Sequence, residues 1–329
     1  MGAASMSALI LGLPVGLLFG FSLQRGRFCM YTAFRDLMFV RDATLFRAYV
    51  LALLIQTAII HLLAAGGLLE IGTLGFPWLA ALLGGLIFGV GISLAGGCSS
   101  GTWYRVGEGM MGSWLAALGY GISVAAVFWG PLRPWAALLS AYEAPQGWRS
   151  LPGLTGLPPG IFLALFVAAG SLWLWRSPRP RVFTGWSWPR TGFILGLIAA
   201  LAWVASAATG RKYGLSITGP TGAWMRYITA GDAPNGDWGM WMLLGVPLGA
   251  FISAGWSGEF KWRAPDPRRM AMQLLGGLLM GVGAAAAGGC NIGHGLTGLG
   301  ALSTASLLVV LSIMAGIWAG TRVFFMRRQ

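Results

Sequence analysis

The sequence predicts an all-α polytopic membrane protein of about nine transmembrane helices, arranged as an inverted 4+1+4 repeat whose re-entrant half-helices meet near the membrane midplane. Three observations predict it. Charged residues make up 9% of the 329-residue chain and hydrophobic ones 56%, with a mean hydropathy of +0.71, whereas a soluble domain carries about 25% charge. Apolar segments long enough to cross a hydrocarbon core of about 30 Å recur along the whole length. A glycine-rich phrase ending in cysteine occurs twice, GVGISLAGGCSSG at 89–101 and GVGAAAAGGCNIG at 281–293.

In chain order the expected spans are 7–23, 48–66, 77–95, 112–130, 160–176, 192–208, 240–256, 270–287 and 304–325. The first lacks the basic start and small-residue cleavage site of a signal peptide and reads as a retained helix. A net charge of +13 would suggest nucleic acid in a soluble protein. Here the basic residues sit in short loops, so they are topology signals and no nucleic-acid partner is expected. With the N-terminus outside, the inner side collects Arg25, Arg27, Arg35, Arg41, Arg47, Arg105, Arg176, Arg179, Arg181, Arg190, Lys261, Arg263, Arg268, Arg269, Arg322, Arg327 and Arg328, 17 of the 22 basic residues. The outer side keeps Arg133, Arg149, Arg211, Lys212 and Arg226. The positive-inside rule therefore puts the N-terminus out and the C-terminus in. Trp129, Trp135, Trp148, Trp173, Trp175, Trp186 and Trp188 fall near the expected interfaces, where amphipathic rings prefer to sit.

Aligning Cys98 with Cys290 pairs the third span with the eighth, and ILGL at 10–13 with ILGL at 194–197 pairs the first with the sixth. Four spans, one linking span and four more make nine, and a single linking crossing inverts the second half. The chain is then one membrane domain, 1–329, with a first repeat at 1–131, a linker carrying the fifth span at 132–190 and a second, inverted repeat at 191–329. Four stretches, 24–35, 96–108, 210–230 and 288–301, are too short to cross and too apolar to leave. They are expected as re-entrant turns or half-helices, which survive at membrane depth only where the freed backbone faces protein or an aqueous cavity.

Such tips suit an anion. Gly97 and Gly289 let the backbone turn and approach closely, and half-helix N-termini at Ser99, Ser100 and Asn291 present N–H donors and a positive dipole end. Arg25, Arg27, Arg105, Arg211 and Lys212 could raise the local anion concentration at either mouth, although lipid-headgroup anchoring also explains them. His294, counted with the path residues, reads as either a hydrogen-bonded structural group or a proton carrier. Glu108 is placed to pair with Arg105, three residues earlier on the same short helix.

Cys29, Cys98 and Cys290 are the chain's three cysteines and all lie in interrupted segments. A buried hydrophobic role would scatter them among the spans. An odd count with no shared outer loop disfavours a disulfide, and lone cysteines lack the clustering of a metal site; no cofactor is expected. What remains is a relay of thiols along a pore, each a weak polarizable S–H donor suited to an anion that presents sulfur.

GRFCMYTAFRD at 26–36, AGGCSSG at 95–101 and AGGCNIGHG at 287–295 resemble the signature segments of the YeeE/YedE sulphur-transport family, and the resemblance covers nearly the full length. It implies a non-enzymatic, inner-membrane importer of thiosulfate in which Cys29, Cys98 and Cys290 contact the ion. It also implies cooperation with a small cytoplasmic sulfurtransferase-like protein, YeeD. Alternatives are a membrane sulfurtransferase-like enzyme, or a transporter of another small anion or a selenium compound. The repeat predicts a cysteine opposite Cys29 in 210–230, where the chain has RKYGLSITG instead.

Overall fold

A computed structural model describes residues 10–72, 74–177, 185–232 and 238–326. The start of the first expected span, together with Arg179, Arg181, Arg327 and Arg328, lies outside the described residues. The described chain is helical throughout: α1 (Gly12–Arg25), α2 (Met30–Phe39), α3 (Thr44–Ala65), α4 (Trp78–Ala95), α5 (Ser99–Gly107), α6 (Met111–Phe128), α7 (Arg133–Ser140), α8 (Leu151–Thr155), α9 (Pro159–Trp175), α10 (Trp188–Ala207), α11 (Thr218–Ala230), α12 (Trp238–Trp256), α13 (Pro267–Ala286) and α14 (Thr304–Thr321). A π-helical turn, Gly293–Gly298, precedes α14.

Every expected span coincides with a helix, and each interrupted stretch ends in or contains a short one. Among the described residues seven helical stretches are long and apolar enough to cross a membrane: α3, α4 with its continuation α5, α6, α10, α12, α13, and α14 with its tail. The other two expected spans are shorter helices. α9 has 17 residues, and α1 has 14, starting close to the edge of the described region.

Packing follows the distribution of small residues. α1 lies on α12, α3 on α10, α4 between α13 and α14, and α6 on α13. Gly12, Gly16 and Gly20 form one stripe of α1, and a Cβ at any of them would collide with the backbone of Trp238, Met242 or Val246 in α12. Apolar side chains gain nothing by leaving lipid, so membrane helices associate through this kind of close backbone approach. α4 and α13 are antiparallel: Gly84 meets Ala287, Gly91 meets Met280, and Gly276 meets Ala95. Phe19, Phe28, Phe34, Phe88, Trp203 and Trp238 fill the interior. Leu18, Leu118, Phe193, Leu201 and Phe251 face outward, as expected for lipid contact. α9 is the peripheral helix; only Leu174 of it is buried, and it rests against α3.

Candidate functional site

The repeated cysteine phrase builds two tips. α4 closes on Gly96, whose φ of +74° is the left-handed conformation that glycine adopts without strain. Cys98 then turns to extended backbone and caps α5, its Sγ accepting from the Gly101 amide at 3.4 Å. After α13, Gly288 repeats the turn with φ +81°, the Gly289 amide donates to the Ala284 carbonyl at 2.8 Å, and the His294 amide donates to Cys290. Because α4 and α13 run antiparallel, these turns leave opposite ends of the pair and point toward each other. They touch: Ser99 Oγ donates to Asn291 Oδ1 at 3.2 Å.

A third segment completes the cluster. Arg27 takes a left-handed φ of +48°, after which Cys29 caps α2 in extended conformation. Its Sγ lies 3.6 Å from Cys98 Sγ, which also sits 3.4 Å from Ser100 Oγ. Gly101 makes room for both thiols, since a Cβ there would stand 2.7 Å from Cys29 Sγ. Cys29 is 1% exposed, and Cys98 and Cys290 are 0%, so no thiol of the cluster reaches the surface. Cys290 joins the other two thiols through its neighbour Asn291 rather than directly. Asn291 Nδ2 is buried with no hydrogen-bond partner, a donor held ready among the tips.

Further residues support the site and were missed in the sequence. Tyr120 Oη bonds Thr218 Oγ1 at 2.8 Å, linking mid-α6 to the start of α11. The second tip is held by Tyr213 on the Gly293 carbonyl at 2.6 Å, Tyr49 on Gly295 at 2.8 Å, Gln56 on Leu296 at 2.9 Å, and Thr297 on Leu215 at 2.7 Å. The first three donate to carbonyls of the π turn, and the fourth ties Thr297 of that turn to the segment before α11. Their signal was faint: Tyr49, Gln56 and Tyr120 are polar groups alone in apolar spans, and Tyr213 and Thr297 are single polar residues of the interrupted stretches. Both His294 ring nitrogens are engaged, Nδ1 with Ser306 Oγ at 2.9 Å and Nε2 with the Ala287 carbonyl at 3.1 Å, with Gly289 packed on the ring.

The cations expected at the mouths are more heavily partnered than their sequence neighbours suggest. Glu108 pairs with Arg27 at 2.9 Å, not with Arg105. Arg105 turns inward, and its Nη1 donates to the Gly96 carbonyl at 2.6 Å, clamping the first tip beside Gly97. Arg27 also bridges to Glu259 at 2.8 Å, with Arg25 at 4.0 Å from the same carboxylate. Gln24 Nε2 donates to both acids, at 3.1 and 2.6 Å, while its Oε1 accepts from Ser253. At the other end Lys212 pairs with Glu70, and Arg211 lies over the Trp238 ring at 5.9 Å. The acids responsible, Glu70 and Glu259, are remote in sequence, so only the fold supplies them.

Partial burial works to raise the Glu259 pKa, but the Gln24 hydrogen bond and the Arg27 charge outweigh it and hold the pKa below the usual carboxylate value. A depressed carboxylate adds stability above its unfolded pKa and loses it as pH falls through the folded one. Thermal unfolding in detergent should therefore show a loss of stability on acidification below the ordinary carboxylate range. Glu259→Gln should flatten that slope and cost no more than about 1 kcal/mol at neutral pH, the carboxylate being part-exposed.

Residues 25–319 match the family described as sulphur transport. The chain is 36% identical to the thiosulfate transporter TsuA of Escherichia coli (strain K12), over 98% of this chain and 96% of that protein. It is also 36% identical to the thiosulfate transporter TsuA of Spirochaeta thermophila, over 96% and 99%. The probable transporter YedE of Salmonella typhimurium is 31% identical over 48% of this chain and 39% of its own length. With a match that spans most of the chain and carries all three cysteine segments, the protein belongs to the sulphur transport family.

Proposed function

We propose that the protein transports thiosulfate inward across the bacterial inner membrane, with its N-terminus outside and its C-terminus in the cytoplasm. It acts as a transporter and not as an enzyme. Two full-length relatives bear the name thiosulfate transporter. The observation that carries the reading here is the cluster of Cys29, Cys98, Ser99, Ser100 and Asn291, in which an unpartnered buried amide stands beside two touching thiols. Thiosulfate has two kinds of acceptor: harder oxygens, matched by Asn291 Nδ2, the Ser hydroxyls and the α5 N-terminal amides, and a terminal sulfur, matched by polarizable S–H groups. The ion meets Cys290, passes to Cys98 and then to Cys29, and leaves past the Arg27, Glu108 and Glu259 cluster. Burial of all three thiols fits an occluded state of an alternating-access cycle.

The packing supports an inverted repeat with halves at 1–131 and 191–329 joined through 132–190. If α1 corresponds to α10, α3 to α12, α4 to α13 and α6 to α14, the contact of α1 with α12 becomes that of α10 with α3, and the contact of α4 with α14 becomes that of α13 with α6; all four occur. A small cytoplasmic sulfurtransferase-like protein such as YeeD would take the product at the inner mouth.

Counterflow in proteoliposomes tests the function. Preloaded thiosulfate should drive uptake of labelled thiosulfate, while sulfate, which lacks a terminal sulfur, should exchange at least about tenfold less, a difference of about 1.4 kcal/mol. Equal exchange of sulfate, formate or nitrite would overturn the sulfur-contact reading.

A further inference from the structure

The end of the bundle that carries Arg27 also carries a second basic site, separate from the thiol cluster. A cavity of about 300 Å³ opens between the ends of α1, α10 and α12 and is lined by Phe21, Arg25, Trp186, Arg190, Trp256 and Ser257. Its chemistry has two halves. The Arg190 guanidinium carbon sits over the Trp186 ring, 4.6 Å from its centroid, and Arg190 has no acidic partner among the described residues. Arg25 approaches its nearest acid, Glu259, only at 4.0 Å. Stacking holds a guanidinium by its face and leaves its N–H fork free for an oxyanion. The other half is aromatic: Phe21 stands between Trp186 and Trp256, with ring centroids 6.3 and 6.4 Å away, and Trp256 is 84% exposed.

We infer that this cavity is a binding site for the headgroup of an anionic phospholipid. Each lining element reaches the cavity at a helix end, the depth at which headgroup phosphates lie, and basic pockets between membrane helices at that depth recognise such headgroups. A soluble anion would need the two arginines alone. The exposed Trp256 face and Phe21 supply an apolar wall that only a ligand with acyl chains uses, so the charge and the aromatic surface together commit the site to a lipid. The Arg25 backbone carbonyl accepts the Trp186 amide at 2.9 Å, which fixes the two sides of the cavity relative to each other.

Native mass spectrometry on the full-length protein, released from micelles holding equal phosphatidylglycerol and phosphatidylcholine, tests the site. Wild type should retain phosphatidylglycerol in preference. Arg190→Gln should lower the retained ratio about fivefold, the weight of one basic residue near an anionic surface. Trp256→Ala should reduce retention of both lipids and leave their ratio unchanged. Excess inorganic phosphate should displace neither lipid. An unchanged ratio in Arg190→Gln, with the variant eluting as wild type, would overturn the inference. So would phosphate stripping phosphatidylglycerol from wild type and Trp256→Ala alike, which would identify a free-anion site. None of these readouts involves thiosulfate, so a failure here leaves the transport reading standing.

Discussion

Replacing Cys98 by alanine is expected to reduce thiosulfate uptake to the level of empty vesicles. Cys98 is the only thiol with three polar neighbours in the cluster: Cys29 Sγ at 3.6 Å, Ser100 Oγ at 3.4 Å and the Gly101 amide at 3.4 Å. Alanine removes the central sulfur of the proposed path and leaves the buried Gly101 amide without its acceptor, at about 1–3 kcal/mol. That is enough to shift the melting temperature without unfolding a bundle held elsewhere by backbone-close packing. Cys98→Ser separates function from fold. Serine is a better helix cap than cysteine, so this variant should melt no lower than wild type, yet its hard oxygen interacts differently with a terminal sulfur. Uptake in Cys98→Ser should fall at least about tenfold, or about 1.4 kcal/mol. Uptake at the wild-type rate after all three cysteines are replaced by alanine would end the relay mechanism.

The largest effect on stability should come from the α1 and α12 contact. Gly20→Ala puts a methyl group where the Val246 carbonyl oxygen stands, and Gly16→Ala does the same against Met242. Neither obstacle is a flexible side chain, so the helices must separate along their length. Overpacking in a yielding core costs about 1–3 kcal/mol, and a backbone obstacle belongs at or above the top of that range. The double variant should fail to elute as a monodisperse peak in detergent. Gly255→Ala, on the same α12 but with nothing within 4 Å of the added carbon, is the matched control. It should change stability by no more than about 1 kcal/mol, in the favourable direction, because alanine is the better helix former. Equal melting temperatures for Gly20→Ala and Gly255→Ala would show that the contact does not hold the bundle together.

Much of the fold was legible because the bilayer imposes length and apolarity on every crossing segment. The expected 77–95 is α4 and the expected 270–287 is α13 within a few residues. The breaks at Gly96 and Gly288 were legible for the same reason, since a paired glycine before a polar run marks where an apolar helix must turn. Polar partnering was not legible. Glu108 had a cation at helical spacing in Arg105, yet it pairs with Arg27, 81 residues away, because Arg105 is drawn to the carbonyl of Gly96 that the turn leaves unpaired. Tyr120 and Tyr213 gave little signal, since Tyr120 reads as one more aromatic of an apolar span and Tyr213 as part of an interrupted stretch until their hydroxyls are seen to bond Thr218 and Gly293.

The sequence by itself determined the class of the protein, the positions of its membrane helices, the two cysteine turns and the sulphur-transport family, since each depends on composition or on residues close together in the chain. Only the tertiary structure decided that Cys29 touches Cys98, that Ser99 bonds Asn291, and that Lys212 and Arg27 are neutralised by Glu70, Glu108 and Glu259. The physical reason is range. Hydrophobic length acts within one helix, whereas hydrogen bonds and ion pairs act over a few ångströms between segments whose distance in space is set by how glycine-faced helices close on each other.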